Sequence, residues 1–142
     1  MRDFLVFDTN VLISGYLWSG KPRQAIRVVQ SGAFRLLYSR ESIDELIRVL
    51  STKFDLSAAE IYAIVSDLRA IGKNIGVHSK EHPVEEDPTD NLFINLATDG
   101  NARMIVSGDS HLLNLKRYKE IEVIKVSEFL KHYTHLNMLP KE

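Results

Sequence analysis

The chain has 142 residues, 44% of them hydrophobic, which is enough for one packed domain with a core of its own. It has no cysteine, so disulfides, thiolate zinc sites and cysteine nucleophiles are excluded together, and a reducing compartment, the cytoplasm, is the expected setting. With 18 Lys and Arg against 19 Asp and Glu the charge is nearly balanced, so any surface for a nucleic acid must be local, and no apolar run is long enough for a membrane span or a signal peptide.

Phe4-Leu5-Val6-Phe7 is continuously apolar, as a strand buried on both faces should be, and Asp8 stands at its carboxyl end. A short turn of helix is expected over 11–14, then a helix over 22–31 that Gly32 stops, and a second strand over 34–38. Ser39 can cap a helix over 40–53, whose Ile43, Leu46, Ile47 and Leu50 recur at helical spacing. Ser57 with Glu60 makes a capping box for a helix reaching about residue 72, followed by a weak strand over 74–78. Residues 79–89 carry two prolines and several acids and read as a surface loop. Asp87-Pro88 opens the next helix, because Asp is a good N-cap and Pro suits the first helical position, and Gly100 closes it. A strand over 104–107, a short helix over 110–115, a strand over 121–126 and a helix over 127–133 complete the pattern, leaving 134–142 as a tail. Strands alternating with helices predict a three-layer α/β/α architecture around a parallel sheet of about five strands, in one domain spanning 1–142 with its core over about 4–130.

In such folds ligands bind outside the carboxyl ends of the strands. Asp8 and Asp109 each follow a strand, Asp90 lies in the first turn of a helix above the inward stripe of Phe93, Ile94 and Ala97, and Glu45 can reach the same edge from its helix. Two carboxylates about 4 Å apart repel by about 4 kcal/mol at an effective dielectric of about 20, so four gathered together call for protons or a cation. Mg²⁺ or Mn²⁺ takes oxygen ligands and supports phosphodiester hydrolysis. Each acid also has a plainer use: Asp8 and Asp109 as helix caps, Asp90 as a favourable charge at a helix start, Glu45 on a solvated face beside Glu41, Asp44 and Arg48.

Taken in order, the segments resemble the PIN-domain ribonucleases, and within them the toxins of toxin–antitoxin pairs. Asp8-Thr9-Asn10-Val11-Leu12-Ile13-Ser14 is similar to the opening motif, Glu45 with Val49-Leu50 to the second, Asp87-Pro88-Thr89-Asp90-Asn91 to the third, and Ser107-Gly108-Asp109-Ser110-His111-Leu112-Leu113 to the fourth. The resemblance implies that Asp8, Glu45, Asp90 and Asp109 are catalytic and hold one or two Mg²⁺ or Mn²⁺ ions that activate water against an RNA phosphodiester. It implies Thr9, Asn10 and Ser107 as groups that support those ligands, a homodimer, and a cognate antitoxin partner. Ser107 stands where Thr is usual, and Leu112 where some members carry a further acid, which leaves the number of ions open.

Gly15 to Lys21 has the GxxxxGK spacing of a P-loop, but Pro22 removes the required hydroxyl and an amide donor. Lys21, Arg23 and Arg27 are better read as a basic rim for RNA or as a solvated helix face, and Tyr16, Leu17 and Trp18 as a dimer contact in preference to a base-stacking surface. The pairs His78 with His82 and His132 with His135 lack a third ligand for zinc. Two other functions stay open: a noncatalytic RNA- or partner-binding module, and a Mg²⁺-dependent phosphoaspartate receiver or phosphatase. Against the latter, Asp8-Thr9-Asn10 is not a DxD motif and Lys125 lies within a strand.

Overall fold

The computed structural model describes residues 3–135, with side chains described through Tyr133. Its elements are β1 (Asp3–Phe7), α1 (Thr9–Leu17), α2 (Lys21–Gln30), β2 (Phe34–Tyr38), α3 (Arg40–Thr52), α4 (Ala58–Ile71), β3 (Gly72–Asn74), α5 (Asn91–Asp99), β4 (Met104–Val106), α6 (Ser110–Leu113), β5 (Arg117–Tyr118), β6 (Ile121–Ile124) and α7 (Val126–His135). One sheet holds the strands in the order β3-β2-β1-β4-β6-β5. The first five are parallel, as expected, and β5 adds a two-residue antiparallel edge that carries no sequence signal of its own.

Alternation along each buried strand divides the core into two layers. Leu5, Phe7, Leu36 and Val106 face one side, where Val11, Ala25, Ile43, Leu46 and Phe129 pack from α1, α2, α3 and α7. Val6, Leu37, Ile105 and Val123 face the other, against Phe93, Ile94, Leu96 and Ala97 of α5. Phe129 anchors the first layer with edge-to-face contacts to Phe7 at 5.9 Å and Phe34 at 5.4 Å. These continuous apolar strands are what a sheet covered on both faces requires, and they fix the register that brings Phe7 opposite Val106.

Several local expectations change, among them the last strand, which ends at Ile124 so that Lys125 follows it and does not lie within it. The short helix after β1 is nine residues long, because Asp8 caps it through Val11 N at 2.9 Å and the apolar run Val11-Leu12-Ile13 is fully buried. Gly15 lies inside it, where a Cβ would stand 2.5 Å from Ile26 Cγ1, so the apparent P-loop spacing records the close packing of α1 on α2. The weak strand expected over 74–78 is instead β3 (Gly72–Asn74), reached directly from α4 through an extended Gly72. Beyond Ile75 the chain becomes a strap across α5, its backbone satisfied by side chains: Asn95 brackets Glu81 and Asn91 brackets Val84, each through the N–H and the carbonyl. Of the expected tail, 136–142 lies outside the described residues, as does the side chain of His135 in the His132–His135 pair. No described helix is long and apolar enough to cross a membrane.

Candidate metal centre

The β1–β4 register places Asp8 and Ser107 side by side just past their paired strand ends, with Asp8 N bonded to Val106 O at 3.2 Å. Both are buried, Asp8 at 3% and Ser107 at 0% exposure. The Ser107 hydroxyl donates to Asp8 Oδ2, and Asp8 Oδ1 accepts the Val11 N–H. Ser107 Oγ also accepts Asp109 N–H at 2.9 Å, so one hydroxyl orients two acids. Asp109 Oδ1 in turn caps α6 through His111 N and Leu112 N.

Asp90 arrives from the opposite layer. Asp87 caps a 3₁₀ turn, Pro88–Asp90, by accepting Thr89 N–H, and that turn leads into α5 and holds Asp90 at 6% exposure. Glu45 comes from the second turn of α3, its side chain only 14% exposed, with Oε1 accepting Arg48 Nε at 2.9 Å and Nη2 at 2.5 Å. All four acids, with Thr9 and Asn10, line one cavity of about 200 Å³. Of these, Asp90 and Asp109 form a tighter group with Asp87 and His111, one ligand atom of each lying within 4.8 Å of the others.

This assembly is electrostatically unfavourable. Burial raises the Asp8 carboxyl above its ordinary range, opposed by the Ser107 and Val11 hydrogen bonds and reinforced by the Asp109 charge. The Asp90 carboxyl is pushed up to about 7, first by burial and then by the charges of Asp109 and Asp87, with a proton shared toward Asp109 and the charge of Asp8 adding to it. Among the described residues, three buried side-chain atoms lack any hydrogen-bond partner: Thr9 Oγ1, Asp90 Oδ2 and His111 Nδ1. All three belong to residues of this site. A buried polar atom without a partner costs about 1–3 kcal/mol, so the donor set gathered here suits a cation.

The expected acids therefore converge, while the expected basic rim does not. Arg23 is occupied by Gly15 O and Tyr16 O at the end of α1, a structural role, and Lys21 and Arg27 are exposed residues of α2 outside the cavity lining. The cations on the cavity wall are Arg48 and Lys53 of the α3 segment. Asp87 and His111 were also missed as site residues, since one reads as an N-cap and the other as part of a short helix. Their spacing, three residues before Asp90 and two after Asp109, was the available signal.

A mostly parallel α/β sheet with acids collected at the carboxyl ends of its strands sets them where such folds bind ligands, and their oxygens suit a divalent cation. A family profile described as PIN domain matches residues 5–111, spanning every acid of the cavity, and the chain belongs to that family. PIN domains are generally nucleases that use divalent metal ions, and the acidic cluster here is compatible with that chemistry. No curated protein matches the sequence.

Proposed function

We propose that this protein is a divalent-metal-dependent endoribonuclease whose site is Asp8, Glu45, Asp90 and Asp109. The observation that carries the reading is the buried Asp90 Oδ2, left without a partner among four other acids on one cavity wall. When bound, Mg²⁺ or Mn²⁺ would neutralise these carboxylates and act as a Lewis acid toward water and the phosphodiester.

The chain's own groups do the rest. Ser107 and Val11 N fix Asp8 in one orientation, and the α6 cap fixes Asp109, so neither needs to reorganise as charge develops. Arg48 and Lys53 supply cations to the RNA backbone beside the acids. Hydrolysis forms a bond from water oxygen to phosphorus, breaks the bond to one ester oxygen, and delivers a proton to that leaving oxygen.

The motif resemblance to the toxins of toxin–antitoxin pairs supports a toxin role in the cytoplasm with a cognate antitoxin, and a small DNA-binding protein encoded next to this one is the expected companion. A homodimer is supported by the edge-to-face pair Trp18 and Phe54, whose rings stand 5.6 Å apart while Trp18 remains half exposed. The decisive experiment is cleavage of an end-labelled RNA with Mn²⁺. Chelator and Asp8→Asn should each abolish it, and cleavage that persists under both would overturn the proposal.

A further inference from the structure

His111 is the one nitrogen donor in the tight group, and its placement bears on which cation the centre takes. Its Nδ1 is buried and unpartnered, 3.8 Å from Asp109 Oδ1, although the side chain as a whole is 42% exposed. Asp109 Oδ1 accepts the backbone N–H of His111 at 2.8 Å, so the residue that caps α6 is the one the His111 ring stands beside. Beside it stands Asp90, 94% buried by its 6% exposure, with Oδ2 equally unpartnered. Asp87, Asp90, Asp109 and His111 can each offer one atom within 4.8 Å of the rest. Donors on a common ion at about 2.1 Å lie about 3–4 Å apart, so small side-chain rotations close the group.

We infer that His111 Nδ1 is a metal ligand, completing a three-carboxylate, one-imidazole set that selects a transition cation such as Mn²⁺ over Mg²⁺. This rests on reading the acidic cavity as a metal centre, and extends it. Mg²⁺ keeps to oxygen and to water, whereas imidazole suits the transition metals, so a single histidine biases an otherwise all-oxygen site. Ligation through Nδ1 needs the ring hydrogen on Nε2, and the 42% exposure of the side chain leaves part of the ring open to water.

The test uses the full chain, stripped of metal, with Mn²⁺ and Mg²⁺ as probes. Calorimetry gives each affinity, and pulsed electron paramagnetic resonance of bound Mn²⁺ reads ¹⁴N coupling directly. Wild type should show ¹⁴N coupling and His111→Ala should lose it. The variant should also lose about tenfold or more in Mn²⁺ affinity while Mg²⁺ binding changes by less than about twofold. His111→Gln, compared by its metal-free melting curve, serves if the alanine variant does not fold, and should lose the coupling equally. Bound Mn²⁺ without ¹⁴N coupling, or an equal loss for both ions, overturns the role of His111 and leaves the nuclease reading standing. Failure of wild type to bind either ion overturns both.

Discussion

Asp90→Asn should stabilise the metal-free protein, the reverse of what most changes at buried polar positions do. The Asp90 carboxyl is pushed up to about 7 in the folded state, from about 3.9 for an ordinary aspartate, so between those pH values the folded protein holds a proton that the unfolded chain releases. Stability is therefore undiminished below pH of about 4 and falls as pH rises from about 4 to about 7, by at most about 4 kcal/mol before solvent screening. Asparagine removes that penalty but brings an amide needing partners of its own, at a cost of about 2 kcal/mol. The net gain at pH 8 is then at most about 2 kcal/mol, or at most about 6–8 °C in Tm for a chain of this length. At pH 5 most of the wild-type penalty is gone and the two proteins should melt together. Thermal unfolding in chelator at both pH values measures this. Adding Mn²⁺ at about 100 times its Kd should then stabilise wild type by about 2.7 kcal/mol and the variant far less. An Asn variant that melts below wild type at pH 8 in chelator, or a gain that does not depend on pH, would refute the electrostatic account.

Ser107→Ala removes the donor that orients Asp8 and the acceptor for Asp109 N, and should weaken Mn²⁺ binding about 10–100-fold by calorimetry, with Ser107→Thr retaining most of it. Gly15→Ala should cost about 1–3 kcal/mol in urea unfolding, because its Cβ would meet Ile26 Cγ1, and Ile26→Val in the same chain should recover part of the loss. Lys53→Gln should lower the salt slope of RNA binding by about one, measured as log Kd against log salt, while raising Mn²⁺ affinity by less than about twofold.

The strands and most helices were legible because burial on two faces leaves continuous apolar runs, as in Leu5 and Val6, and because caps such as Ser39 and Ser57 announce helix starts. The strap over 75–86 was not, since Asn91 and Asn95 satisfy its backbone from another element and no local pattern reports a partner so far along the chain. Three of the site acids were legible for a simple reason: a strand end or a helix start fixes Asp8, Asp109 and Asp90 in space once the topology is parallel. Glu45 was harder, because a residue in the second turn of a helix faces the site only if the helix is rotated correctly, and that rotation is set by burial of Ile43, Leu46 and Leu50. Lys21, Arg23 and Arg27 stand outside the cavity lining for a related reason. Arg23 was assigned by its charge, but its reach to Gly15 O and Tyr16 O depends on how α1 meets α2, which Gly15 decides.

That rotation of α3 also sets up a competition. Glu45 Oε1 is held by two N–H groups of Arg48, so in the metal-free protein the arginine takes the place that a cation would claim. Arg48 is 58% exposed and Glu45 only 14%, so the pair is too solvated at one end to be worth more than about 1 kcal/mol, yet it ties up the acid. Arg48→Gln should free Glu45 and tighten Mn²⁺ binding by about two- to fivefold, while weakening RNA binding through loss of a phosphate contact. Loss of a positive charge near the site would by itself favour a cation, and Lys53→Gln isolates that effect, because Lys53 lines the same cavity without holding Glu45. A larger gain for Arg48→Gln than for Lys53→Gln in calorimetry supports direct competition for Glu45. Equal gains would reduce Arg48 to a general field effect, and Glu45 would then gain nothing from release.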